Sequence, residues 1–161
     1  MTNARPSRRG VLGSVGLIGV VALAGCLGGR SPTYEGGQVD DVDGDERTDA
    51  EMAAAEALAE RETQEGVSPL DAVSIVEHEF VLEDDYLGST VQGVVENTGS
   101  ERIEHVEVRV RAYDADGTHL GRYLDRTGDI DGGDRWNFTV ILLEAPDALD
   151  SYDVAVLGTP P

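Results

Sequence analysis

The residue with the most definite chemistry in this chain is Cys26, its only cysteine. It closes the run Leu23-Ala24-Gly25-Cys26, in which small residues precede a thiol at the end of an apolar segment. That is the pattern of a lipoprotein cleavage and lipidation site. Processing there removes residues 1–25 as an address and converts the thiol to a lipid-bearing thioether, so Cys26 is expected to act neither as nucleophile nor as metal ligand. Upstream, Ser7-Arg8-Arg9-Gly10-Val11-Leu12 matches a twin-arginine export signal carried by Arg8 and Arg9, with Val11 where an aromatic residue is commoner. The apolar run from Val11 to Ala24 has 14 residues, fewer than the roughly 18 to 25 a spanning helix needs, which favours a cleaved signal over an uncleaved anchor. The expected location is extracytoplasmic, with the membrane as partner through a lipid on Cys26.

The other candidate ligands are weaker in pattern. Asp41, Asp43 and Asp45 alternate like the opening of a calcium-binding loop. Such a loop wants glycine at its sixth position for the sharp turn and a bidentate acid at its twelfth. Those positions hold Glu46 and Met52, so the stretch reads as a solvated acidic linker and no metal or other cofactor is expected. His78, His105 and His119 form no closely spaced pair, and no nucleophile elbow, phosphate loop or dinucleotide fingerprint occurs. No catalytic residue is therefore assigned, and a non-enzymatic protein is expected. Asn137-Phe138-Thr139 is a glycosylation sequon with Asn137 as acceptor, placed mid-strand, where modification is less favoured than on a loop. Trp136 and Tyr152 fall on the face assigned to the core.

Composition narrows the partners. The formal charge is -20, and the chain has no lysine. Removing residues 1–25 takes away three Arg and no acid, leaving 9 Arg against 32 Asp plus Glu, or -23. Such a surface repels nucleic acid and anionic headgroups. Excess carboxylate without lysine resembles the composition of proteins from salt-loving archaea, whose surfaces stay hydrated where the Debye length is only about 3 Å. A lone cysteine also excludes an intrachain disulfide and leaves stability to the core.

The elements that must carry these residues follow in order. Residues 26–47 are Gly-rich, then acidic, without hydrophobic period, and read as a flexible acidic tether. Thr48 and Glu51 form a capping box opening a helix over Asp49 to Glu65, whose large apolar residues are only Met52 and Leu58; 48–66 is expected to be a short spacer helix. From Ser68 to the end, alternation takes over. Strands are expected over 72–82, 89–97, 105–114, 118–127, 135–143 and 152–157. Val106, Val108, Val110 and Ala112 share one face opposite Glu107, Arg109 and Arg111, as Trp136, Phe138, Val140 and Leu142 oppose Asn137 and Thr139. One dry face and one wet face per strand is what an antiparallel two-sheet sandwich requires. The expected fold is all-β, one sandwich domain over 68–161.

Several of these segments together resemble the FxLyD domain family: Gly93-Val-Val-Glu-Asn-Thr-Gly-Ser, His105-Val-Glu-Val-Arg-Val-Arg-Ala-Tyr-Asp-Ala-Asp-Gly, Trp136-Asn-Phe-Thr-Val and Ser151-Tyr-Asp-Val. The likeness covers about residues 74–158. It implies an immunoglobulin-like sandwich of exported surface lipoproteins, often of halophilic archaea, and no catalytic residues. Where many members have a Pro-rich loop, this chain has Asp129-Ile130-Asp131-Gly132-Gly133. The functional expectation is a lipid-anchored domain that contacts a protein or envelope partner. The alternative is a module binding a divalent cation or small solute through Asp40 to Asp49 or the acidic loop Asp129 to Asp134.

Overall fold

The computed structural model describes residues 30–40 and 44–161. Arg8, Arg9, Cys26, Asp41 and Asp43 lie outside them. Among the described residues seven strands form two antiparallel sheets: β1 Glu35–Gln38, β2 Val73–Leu82, β3 Ser89–Asn97, β4 Ile103–Tyr113, β5 His119–Ile130, β6 Arg135–Ile141 and β7 Ser151–Gly158, with one α-helix, α1 Asp49–Leu58, and a short 3-10 turn at Pro146–Ala148. The four-stranded sheet runs β1-β7-β4-β5 and the three-stranded sheet β2-β3-β6. Strands β2 to β7 thus follow the order A, B, C, C′, E, F of an immunoglobulin-like sandwich, with C′-C-F in one sheet and A-B-E in the other. The edge beside F, where the last strand G would lie, is taken by β1 from the N-terminal side.

All six strands expected from alternation are present, shifted by at most a few residues at their ends. Their inner faces make the core, with Val91, Val95, Val106, Val108, Val110, Val140 and Val154 fully buried and Phe138 1% exposed among them. Trp136 is half-buried and packs on Phe138 with ring centroids 6.1 Å apart. Tyr152 is buried. At the lower end of the sandwich, which carries the start of β2 and the end of β7, buried Asn97 is fully used. Its amide donates to the carbonyls of Glu101 and Ile130, and its oxygen accepts from Gly99 N–H.

Three expectations are corrected. The tether over 26–47 is not free throughout: Glu35–Gln38 pairs with Val154–Ser151 of β7, because an open strand edge satisfies the backbone of a polar segment as well as an apolar one. The spacer helix 48–66 ends at Leu58. Its capping box forms as expected, with Thr48 N–H donating to Glu51 at 2.8 Å and Glu51 N–H donating back to Thr48 Oγ1 at 3.3 Å. Beyond Ala59, however, the backbone is extended, and Glu60 bridges to Leu124 of β5. Third, the outer face of the four-stranded sheet is wet only in part, with Arg122 and Arg126 exposed but its middle covered. Residues 59–68 form a strap across it, touching β5 at Leu124, β4 where Gln64 N–H donates to Glu107 at 2.8 Å, and β7 where Ser68 bridges Gly158. Under that strap Glu107, Leu124, Ala155 and Leu157 are at most 2% exposed.

Candidate functional site

The chain joins the sandwich at its lower end. Arg30 pairs with Asp71 just ahead of β2 at 2.9 Å. Tyr34 then lies under the guanidinium of Arg111, 3.6 Å from its ring centroid. Arg111 in turn makes a two-pronged ion pair with Asp153, whose carboxylate also accepts from the Tyr113 hydroxyl at 3.2 Å. These contacts fasten the residues ahead of β1 to the outer surface of β4 and β7.

The upper end bears a cavity of about 590 Å³. Its floor is built by Arg47, which donates from Nε to the Tyr86 carbonyl at 3.0 Å and from Nη2 to the carbonyls of Leu87 and Leu142, the latter at 2.8 Å. One side chain thereby ties the N-terminal arm to the β2–β3 loop and to the end of β6. Burial lowers the Arg47 pKa, and nearby Glu144 opposes that shift. The walls include Met52, Leu82 and Pro146, and carboxylates outnumber the single guanidinium seven to one.

Two oxygens in this lining stand out. Ser89, at the start of β3, is 1% exposed, and its Oγ makes no hydrogen bond to any described residue. Glu144 Oε1 accepts from the Tyr123 hydroxyl at 2.8 Å, while buried Oε2 has no partner among the described residues. No periodicity marks either residue, since one opens a strand and the other follows one. Only their burial distinguishes them.

The residues singled out in the sequence do not converge. Asp45 is exposed on the cavity rim. Among the described residues no group of three His, Cys, Asp or Glu side chains is placed to hold a metal. The acidic loop sits at the opposite, lower end, where Asp129, with φ 58°, pairs with Arg102. His78 is half-buried between the sheets, whereas His105 and His119 are exposed on β4 and β5. Asn137 is exposed in mid-β6, opposite Val94 of β3. No helix among the described residues is long and apolar enough to cross a membrane.

Fold and site define an antiparallel sandwich whose final sheet position is filled from the N-terminal side and whose upper end holds an acid-rimmed cavity. The chain belongs to the same family as the uncharacterized protein MJ0360 of Methanocaldococcus jannaschii, with which it is 32% identical over 148 residues, 91% of this chain and 90% of that one. A match of that extent runs well beyond β2 to β7. No family model matches the chain, and no solved structure matches it.

Proposed function

We propose that this protein is an exported lipoprotein, anchored through Cys26 at the outer face of the cell membrane, whose FxLyD-like sandwich acts there by non-catalytic contact. The observation that carries the reading is the spacing between the lipidation pattern and the folded domain. Cys26 stands four residues ahead of Arg30, which is already paired to Asp71. Four residues reach at most about 14 Å. The anchor is therefore short, and the lower end of the sandwich, with Asp129 to Asp134 and the 98–102 turn, faces the membrane. The cavity at the upper end faces away, separated by the length of β3, nine residues or about 30 Å.

A short anchor also gives β1 a purpose. Strand pairing with β7 sets the direction in which the chain leaves the domain, so the sandwich is presented in one orientation. The acidic surface opposes direct adhesion to anionic headgroups, which leaves the lipid as the attachment.

Mass spectrometry of the mature N-terminus tests this. A chain beginning at Cys26 with a lipid mass is expected, and Cys26→Ser is expected to move the protein from the membrane fraction to the soluble one. Arg8→Lys with Arg9→Lys is expected to block export. An intact Met1, or an unmodified Cys26 in membrane-bound protein, would overturn the reading.

A further inference from the structure

We propose that Asn137 carries an N-linked glycan, joined after export while the domain is already folded. The inference rests on the export reading above. A twin-arginine signal moves folded cargo, so an acceptor has to be reachable in the finished sandwich. Asn137 and Thr139, first and last of the sequon, are both exposed, whereas Phe138 between them is 1% exposed in the core. Asn97, the other asparagine among the described residues, has no exposed surface and spends its amide on the carbonyls of Glu101 and Ile130.

The position of β6 removes the handicap of a site inside a strand. β6 ends the order β2-β3-β6 and has a paired strand on one side only. Thr139 N–H turns away from β3 and donates to Asp125 Oδ2 of β5 at 2.8 Å. Along an antiparallel strand the N–H groups of residues two apart point the same way, so the Asn137 N–H also faces away from the ladder. Beside the side chain runs a groove of about 410 Å³ on the outer face of this sheet, lined by Glu77, Glu79, Gln92 and Val94 as well as by the sequon. It has room for a first sugar, whose hydroxyls can donate to the two carboxylates while its ring carbons rest on Val94.

The transfer balances with a lipid-linked sugar phosphate as donor. Asn137 Nδ2 bonds to the anomeric carbon as the bond from that carbon to the phosphate oxygen breaks. The lipid phosphate leaves with the electron pair, and Nδ2 gives one proton to a base of the transferase. Asn137 is the third residue of β6, counted from the end placed toward the bilayer, so the acceptor stands on the side where a membrane-bound donor is held.

Mass spectrometry of the chain purified from its native membrane tests the proposal. No Arg or Lys follows Arg135, so trypsin leaves Asn137 in one peptide running from Trp136 to Pro161. That peptide is expected to carry a glycan mass located to Asn137. Asn137→Gln and Thr139→Ala are each expected to abolish it, and Thr139→Ser to keep it. Thr139→Ala retains the bond to Asp125, which uses the backbone N–H, so loss of the glycan with an unchanged thermal melt reports the sequon and not the fold. A bare Asn137 on a chain that begins at lipidated Cys26 would overturn this proposal and leave the export reading standing. A bare Asn137 on a chain with intact Met1 would overturn both, and a glycan that survives Thr139→Ala would overturn the sequon as its cause.

Discussion

The Tyr152 hydroxyl and the Nδ1 of His78 meet at 2.8 Å, joining β7 of one sheet to β2 of the other. Their rings pack edge to face at 5.6 Å, and Glu35 of β1 stands 3.9 Å from the far nitrogen of the imidazole. The same tyrosine ring decides what β1 can contain. A Cβ on Gly37 would lie 2.2 Å from it, far inside van der Waals contact. The contact between sheets and the docking of the N-terminal strand are thus one construction.

Alkaline pH is expected to dismantle it. Burial pushes Tyr152 up to about 12 from an ordinary value near 10, with Glu79 adding to the shift. Tyr123 is likewise pushed up to about 12, by burial and then by its hydrogen bond to Glu144. A group whose folded pKa lies above its unfolded value holds its proton in the native state after the unfolded chain has lost it. Stability is therefore fully retained below pH ~10 and lost as pH rises from there toward ~12. Urea midpoints across pH 9 to 11.5 should fall, and Tyr152→Phe should flatten that slope; an unchanged slope would exclude Tyr152 as its source.

Gly37→Ala is expected to loosen β1. The added methyl displaces the Tyr152 ring or lifts the strand, and forced overpacking of this kind costs about 1–3 kcal/mol. Hydrogen exchange should show faster loss at the β1–β7 pairs while the β2–β3 pairs keep their protection. Uniform protection in the variant would mean that the ring gives way without cost.

Arg109→Ala is expected to be more damaging than a surface substitution. Its guanidinium pairs with Glu107 beneath the strap, where the carboxylate is 1% exposed. Removing one partner of a buried pair leaves the other charge uncompensated, at about 3 kcal/mol or more. Glu107→Gln keeps an acceptor for Gln64 N–H and should cost less. Thermal melts of the two variants compare them, and equal losses would contradict the argument.

Dialysis into low salt is expected to unfold the domain. Acids exceed arginines by 32 to 12, and lysine is absent. Raising the Debye length from about 3 Å at 1 M salt toward 30 Å at 0.01 M lets these charges repel across the whole surface. Circular dichroism in the β region follows the change, and an unchanged spectrum would count against solvent adaptation as the reason for the composition.

Orientation on the membrane can be read from labelling. With Cys26 lipidated, a reporter cysteine at Asp116 in the upper β4–β5 turn should react quickly with a bulky maleimide, and one at Asp131 in the lower loop slowly. Equal rates in membranes, or the same contrast in detergent, would refute a lower end held against the bilayer.

How far the sequence carries can be judged from particular residues. Val106, Val108, Val110 and Ala112 are all fully buried, as their period of two dictates, because successive side chains of a strand point to opposite faces. The Thr48–Glu51 box forms both its bonds, and the Asp114 turn closes through Gly117 at φ 77°. These outcomes depend on neighbours within a few residues. Glu35-Gly-Gly-Gln has no such local signal, and its strand exists because β7 offers an open edge. Glu107 belongs to the polar half of an alternating pattern and is buried because Gln64, distant in sequence, crosses over it. Arg47, Ser89 and Glu144 share a cavity only after the reversals that connect β2 through β6 bring them to one end. By itself the sequence determined the strands, their inner faces and the helix cap. Edge pairing, the strap and the cavity were decided by tertiary structure, since they rest on contacts between segments whose separation no local periodicity encodes.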